Sequence, residues 1–504
     1  MENFELFESK SSTKYDTISR EDLIAKHEIL ESEYLRALRE IYKLKYQNLT
    51  DTQLQLVLNE HLAQMRQEQY GASSERYKKP VKAPEEKQPP KPRVKLPSER
   101  YPNIPVREVI ITQTPLPACA VCNEGMKATS MFDVSEQLNV ISKQYEIILQ
   151  KQVKYSCDCH GCLVTAEAPP RIIPGSSYSD EMILDIALSK YCDLIPIERY
   201  AAMAGRNGLI HLPPHSLIET THKMADFLRP AYELVKTNLM RSRVLHADET
   251  PHKMLEGSST KHWYLWGFST KTLCYLECHP TRSGDVASDI LKSDESMCEI
   301  LISDVFSGYK KAVRVANVER QKIGKKIIKN AYCNAHARRY FIKAYPKHKE
   351  AQYFLDRYHE IYKLESMSKD DDPPERHKAR DKMKLIFLEM KQRAIEEIEC
   401  NLDSLSYGRA LRYFLENFDG LTLCLNDVEI ALDNNLQEGL LRNHVIGRKT
   451  WYGTHSKLGA KTASILFTLV ETCKLNHINP REYFNKLTQA LLKGEPPFLP
   501  ASQA

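Results

Sequence analysis

The sequence predicts a mixed α/β protein, and three observations lead there. From Arg243 onward, short apolar runs follow one another in the order strand, strand, strand, helix, strand, helix, strand. Residues 338–425 then switch to helical periodicity, with Met383, Ile386, Phe387 and Met390 at i, i+3, i+4 and i+7. Upstream, residues 20–70 contain neither Pro nor Gly and read as helix.

Composition agrees with this class. The 504 residues are 42% hydrophobic and 27% charged, as in a globular chain of roughly three ~150-residue domains. No apolar run reaches the ~18 residues that a membrane-spanning helix needs. The start, Met-Glu-Asn-Phe-Glu-Leu-Phe-Glu, has neither a basic nor an apolar leader region, so a cytoplasmic, nucleoid-associated location is expected. Thirteen cysteines are too sparse for a disulfide scaffold. A net charge of +5 permits a nucleic-acid partner without requiring one.

Taken in order, the first element is the N-terminal arm. Leu23, Leu30, Ala37 and Leu44 repeat every seven, with Tyr34 and Ile41 at the complementary positions, and Leu54, Leu58, Leu62 and Met65 continue the stripe. Such heptads argue for a coiled coil and a partner helix; the alternative is an amphipathic helix packed on its own domain. From Arg76 to Arg107, ten Lys/Arg stand against three Glu among eight prolines, an extended basic linker. A cysteine cluster follows, then a helical segment near 178–236. The strands come next: Arg243 to Ala247, a hairpin of Trp263–Phe268 with Leu273–Leu276, Ile300–Ser303, and Lys326 to Cys333, with a helix at Ser283–Lys292. Asp370 to Pro374 marks a loop inside the later helical stretch.

Five of the thirteen cysteines fall between 119 and 162. Cys119 and Cys122 form a C-x2-C pair, and Cys157, Cys159, His160 and Cys162 follow. Two short-loop pairs supply the tetrahedron that structural Zn²⁺ prefers, with four of these six residues as ligands. Val134 to Val153 reads as the two strands of a zinc ribbon between them.

Three carboxylates stand at element ends. Asp248 lies in His246-Ala-Asp-Glu-Thr250 after one strand, Asp304 follows Ser303 after another, and Glu438 closes Asp433-Asn434-Asn435-Leu-Gln-Glu438. Singly, such acids usually cap turns or helices, and Asn435 to Glu438 has the spacing of a capping box. Together they have another use. Acids from two adjacent strands and one helix can hold two divalent cations ~3.5–4 Å apart, which suits phosphodiester chemistry. Hard oxygen ligands favour Mg²⁺ or Mn²⁺.

The block order resembles the DDE transposases of bacterial insertion-sequence family sixty-six. The blocks are Gly71-Ala-Ser-Ser-Glu-Arg76, the cysteine segment, Lys190-Tyr-Cys-Asp-Leu-Ile-Pro196, His246 to Thr250, Asp304 to Tyr309, Cys333-Asn-Ala-His-Ala-Arg-Arg339, Asp433 to Glu438, Gly447 to Trp451, and Glu471 to Asn476. The resemblance implies an RNase H-like core in which Asp248, Asp304 and Glu438 are catalytic and bind Mg²⁺, with an insertion near 338–425. It implies cleavage at the 3′ ends of the element and joining of the freed 3′-OH to target DNA. It further implies double-stranded DNA as partner, a homo-oligomer that pairs two ends, and small accessory proteins of the same element. His336, Arg338, Arg339, Arg442, Arg448 and Lys449 are the expected DNA contacts. The chain departs from the family pattern at Gly439, where Arg is usual, and at Asn334, where Trp is usual. The resulting division is an arm over 1–77, a linker over 78–108, a zinc-binding ribbon over 109–175, a helical DNA-binding or connecting region over 176–240, a catalytic domain over 241–445 and a tail over 446–504. The rival readings are an inactive or host-adopted DNA-binding derivative and a nuclease that cuts without joining.

Overall fold

A computed structural model describes residues 34, 36–40, 43, 50–70, 96–100, 102, 105–110, 135–137, 143–156, 163–255, 262–369, 371–401 and 405–500. The chain forms two compact units, residues 1–73 with 151–504, and residues 74–150. In the larger unit, α1 (Asp51–Tyr70) buries Leu54, Val57 and Leu58. It rests on helices of its own chain: Glu60 Oε1 accepts from Ser406 N at 2.6 Å, and Lys347 Nζ donates to Asn59 O at 3.0 Å. The start of α1 therefore has the packing of the amphipathic alternative. The heptad positions Leu23, Leu30, Ile41 and Leu44 lie outside the described residues. In the smaller unit, α2 (Pro97–Arg100) is tied down by Ser98, whose N and Oγ both donate to Glu136 at 2.8 Å.

The ribbon expectation needs correction. Among the described residues of 134–153, none lies in a strand. Ile147, Ile148 and Leu149 are exposed. The strands that do pair are β1 (Lys154–Ser156) and β2 (Leu163–Thr165), an antiparallel hairpin with Tyr155 opposite Val164. Cys157, Cys159, His160 and Cys162 fall between these strands in sequence; like Cys119 and Cys122, they lie outside the described residues.

Four helices follow: α3 (Asp180–Tyr191), α4 (Ile197–Arg206), α5 (Pro214–Phe227) and α6 (Arg229–Met240). Ser179 caps α3 by accepting from Met182 N, as an N-cap serine does. Then come β3 (Val244–Lys253), β4 (His262–Ser269), β5 (Cys274–His279), α7 (Asp285–Leu291), β6 (Ile300–Ser303), α8 (Ser307–Lys322) and β7 (Lys329–Tyr332). The order is the expected one, but β3 does not end before Asp248: residues 246–253 pair with β4 and carry the strand on to Lys253. The sheet order is β5-β4-β3-β6-β7, with β3 to β5 antiparallel and β6 and β7 parallel to β3. The β4–β5 turn is fixed by Thr270, which bonds Leu273 through both backbone and hydroxyl.

The stretch expected to be helical is so: α9 (Asn334–Ala344), α10 (Ala351–Met367), α11 (Pro373–Ile398), α12 (Ser406–Glu416) and α13 (Phe418–Thr422). Its core of Phe341, Phe354, Tyr358, Phe387 and Phe414 is continuous with Ile300, Ile302 and Ala331 of the sheet. The chain ends in α14 (Asn435–Trp451), α15 (Lys457–Leu475) and α16 (Pro480–Leu492). On α15, Ser464, Thr468 and Thr472 recur every four residues, and their hydroxyls accept from Cys278 N, Leu276 N and Cys274 N of the edge strand β5. A helix thus satisfies the open edge that another chain would otherwise pair with.

Candidate active site

Strand β3 sets the site. Its side chains alternate, so His246, Asp248, Thr250 and His252 share one face while Leu245, Ala247 and Glu249 share the other. On the neighbouring strand Ile302 is paired with His246. Two residues further on, Asp248 lies midway along β3, paired with Gly267 of β4, while Asp304 stands just past the end of β6. Beyond β7, Cys333 N donates to Ser303 O at 3.0 Å, and α9 begins at once.

Helix α14 crosses the Asp248 face and is fastened to it at three levels. At its start, Asn434 Oδ1 pairs with His246 Nδ1 at 2.9 Å, Asn434 Nδ2 donates to Ala247 O at 2.8 Å, and the Asn434 backbone N–H donates to Cys333 Sγ at 3.2 Å. One turn in, the fully buried Gln437 packs on Gly267 of β4, which stands opposite Asp248. Near the far end, His444 Nε2 meets His252 Nδ1 at 2.9 Å, and His252 Nε2 meets Thr454 Oγ1 at 2.8 Å. The N-cap is Asn434, so Asn435 is the first helical residue and the capping-box reading of Asn435 and Glu438 fails.

Glu438 instead faces α9. Its Oε1 lies 3.5 Å from His336 Nδ1 and its Oε2 lies 3.7 Å from Arg339. The Asp248 carboxyl is pushed up to about 8, first by burial and then by the charges of Glu249, Glu438 and Asp304. Both strand acids are oriented by backbone: Asp248 Oδ1 accepts from Glu249 N and Asp304 Oδ1 from Phe306 N, each at 3.0 Å. On the opposite face, Glu249 binds Arg282 Nε at 2.8 Å and accepts from the Tyr309 hydroxyl. Burial nevertheless pushes the Glu249 carboxyl up. Strand alternation would have shown that Glu249 turns away from Asp248.

Among the described residues, the trio whose ligand atoms lie within 4.8 Å of one another is Cys333, His336 and Glu438. Burial pushes the Cys333 thiol up to about 12, so it faces the site as a neutral, soft group. A hard cation has far better donors in Glu438 and the two strand acids. The histidines of β3 are otherwise engaged, His246 with Asn434 and His252 with His444.

The profile of the Transposase IS66 family matches residues 175–462, a span that holds all three acids. The chain belongs to the IS66 transposase family. It is also similar to two uncharacterized proteins of Sinorhizobium fredii (strain NBRC 101917 / NGR234). It is 24% identical to y4hP over 399 residues, 75% of this chain and 71% of the relative. It is 25% identical to y4qI over 406 residues, 78% and 73%. Family membership makes this a transposase-type protein whose partner is DNA. No helix among the described residues is long and apolar enough to cross a membrane.

The basic residues expected at DNA divide into groups in this IS66 transposase. His336 and Arg339 face Glu438 from α9. Arg442 lies one turn beyond Glu438 and is exposed, as is Lys449. Arg448 is half-buried, and its charge helps lower both His252 and His444. Arg338 is two positions from His336 and so turns to a different side of α9. Trp451 packs in an edge-to-face contact with Tyr191, 6.5 Å between centroids.

Proposed function

We propose that this chain is a DNA transposase with an RNase H-like core, in which Asp248, Asp304 and Glu438 bind divalent cations for 3′-end cleavage and strand transfer. The observation that supports the reading is the packing of α14, which bears Glu438, across the Asp248 face of β3; burial first, and then the charges of Glu249, Glu438 and Asp304, hold the Asp248 carboxyl up at about 8. Like charges gathered in a buried place are costly unless a cation neutralises them. The donor set fits one: oxygen ligands throughout, and a Glu438 Oε1 that is buried without a hydrogen-bond partner. Mg²⁺ or Mn²⁺, when bound, would activate the attacking oxygen and stabilise the leaving 3′ oxygen. The protein's own residues prepare the place. Asn434 and His246 fix the start of α14 against β3, and His336 and Arg339 restrain the Glu438 carboxylate. The sheet order supports the RNase H-like reading, since three antiparallel strands are followed by two parallel ones on the far side of the first.

Cys119, Cys122 and two of the group Cys157, Cys159, His160 and Cys162 are proposed to hold a structural Zn²⁺ that, with the basic linker, supports binding of the element's ends. Synapsis of two ends calls for at least two protomers. The test is to incubate the full chain and Mg²⁺ with DNA carrying its element's ends. Nicking and strand joining that vanish in Asp248→Ala are expected, a loss of at least ~10³-fold. Undiminished activity in that variant would remove Asp248 from the reaction. Nicking without joining would make the protein a nuclease. DNA bound by the wild type but left uncut would favour the inactive, binding-only reading.

A further inference from the structure

The insertion carries a cleft of ≈ 430 Å³ lined by His336, Arg339, Tyr340 and Lys343 of α9 and by Ser406 and Arg409 of α12. The four α9 residues recur at i, i+3, i+4 and i+7, one face of the helix, and the two α12 residues lie one turn apart. Three of the six are permanent cations. Lys343 and Arg409 are exposed, and neither makes an ion pair among the described residues. Other basic residues of this unit are matched by acids close by, as Lys322 by Glu319, Lys378 by Glu375 and Lys326 by Glu299.

One further feature points to a ligand. Ser406 is 8% exposed, and its Oγ is buried without a hydrogen-bond partner. The inner end of the cleft reaches Glu438, which His336 and Arg339 both face.

We propose that this cleft is a phosphodiester-binding subsite. It takes a backbone phosphate of the nucleic-acid strand whose neighbouring linkage lies at the acids, and so it rests on the reading of those acids given above. Arg339 and Arg409 present planar forks suited to phosphate oxygens, and Lys343 adds a point charge. Tyr340, stacked on Tyr413 at 4.3 Å, gives the cleft a firm wall. An acidic peptide would meet the same cations, but its next carboxylates would run into Glu438. A phosphodiester strand can continue past carboxylates by sharing divalent cations with them.

The test is the full-length Lys343→Gln/Arg409→Gln double variant. Its binding to a labelled ~30-base-pair random duplex, and to the matching single strand, is followed by fluorescence anisotropy across a KCl series. Because the variant loses two of the three cations around that one phosphate, the slope of log affinity against log salt should fall by about 0.9 for duplex and about 0.7 for single strand. Lys382→Gln/Lys384→Gln, an equal charge loss on the exposed side of α11, should leave the slope unchanged. A slope equal to wild type in the first variant, or an equal drop in the second, overturns the subsite. So does loss of stabilisation by inorganic phosphate with unaltered DNA binding, which would mean a small-anion site. The two readings fail separately. If the wild type cuts DNA, Asp248→Asn does not, and the double variant keeps its slope, the acids stand and the cleft falls. A wild type that neither binds nor cuts DNA brings down both.

Discussion

At the scale of single residues, Asp248 has the clearest consequence. Its carboxyl titrates near 8 in the fold and near 4 in an unfolded chain. The folded state therefore holds a proton that the unfolded state has released between these values. Stability from this group falls as pH rises from 4 to 8. Asp248→Asn should be the more stable protein at pH 8, by roughly 1–3 kcal/mol, and the gain should shrink towards pH 4. Thermal denaturation at both pH values checks this, and added Mg²⁺ should raise the wild-type midpoint more than the variant's. An equal gain at both pH values would refute it. The two departures from the family pattern also resolve at this scale. Asn334 is fully buried, and its Nδ2 bridges Leu421 O and Leu432 O at 2.9 and 3.0 Å, tying the end of the insertion to the start of α9. Gly439 faces open space, so the missing side chain removes a charge without leaving a hole.

At the scale of elements, α14 decides whether the acids meet, and two of its fastenings make predictions. A Cβ added at Gly267 would run into the Gln437 amide, and a second neighbour, Leu276, leaves it little room to shift. Gly267→Ala should cost about 1–3 kcal/mol in urea denaturation, and Gln437→Ala in the same chain should recover part of it. Strictly additive costs would show that the two residues do not compete for that space. The His252–His444 pair works in the opposite pH sense from Asp248. Burial, followed by the Arg448 charge, pushes His252 down to about 4, and His444 is lowered as well. Their contribution is complete above the unfolded value of ~6.5 and is lost as pH falls towards 4. His444→Leu should therefore flatten the stability profile between pH 6.5 and 4, and an unchanged profile would place the acid sensitivity elsewhere.

At the scale of the whole molecule, a five-stranded sheet carries the acids, one helical layer inserted after β7 supplies the basic side of the site, and α1 rests on that insertion. Leu58→Ala should weaken the docking of α1 by about 2–5 kcal/mol. Hydrogen exchange along α1 should then accelerate more than tenfold while α9 and α12 keep their protection. Exchange that instead depends on protein concentration would place the apolar face of α1 against a partner helix.

The sequence by itself determined the element order and the membership of the family, because alternation, helical periodicity and motif blocks are local properties of the chain; the three acids remain the reading proposed above. It also located the helical stretch between two of the acids, 134 positions apart, from a change of period. Only the tertiary structure decided what those side chains face. Glu438 reads equally well as a capping residue until Asn434 is seen to hold the N-cap position of α14 and His336 and Arg339 are found beside the carboxylate. The Ser464, Thr468 and Thr472 hydroxyls look like ordinary helix residues until β5 lies against them. Lys343 and Arg409 are 66 positions apart and become one cleft only when α9 packs on α12. Burial, shared charge and long-range packing are properties of residues distant in sequence, so they could be read only where the fold had brought them together.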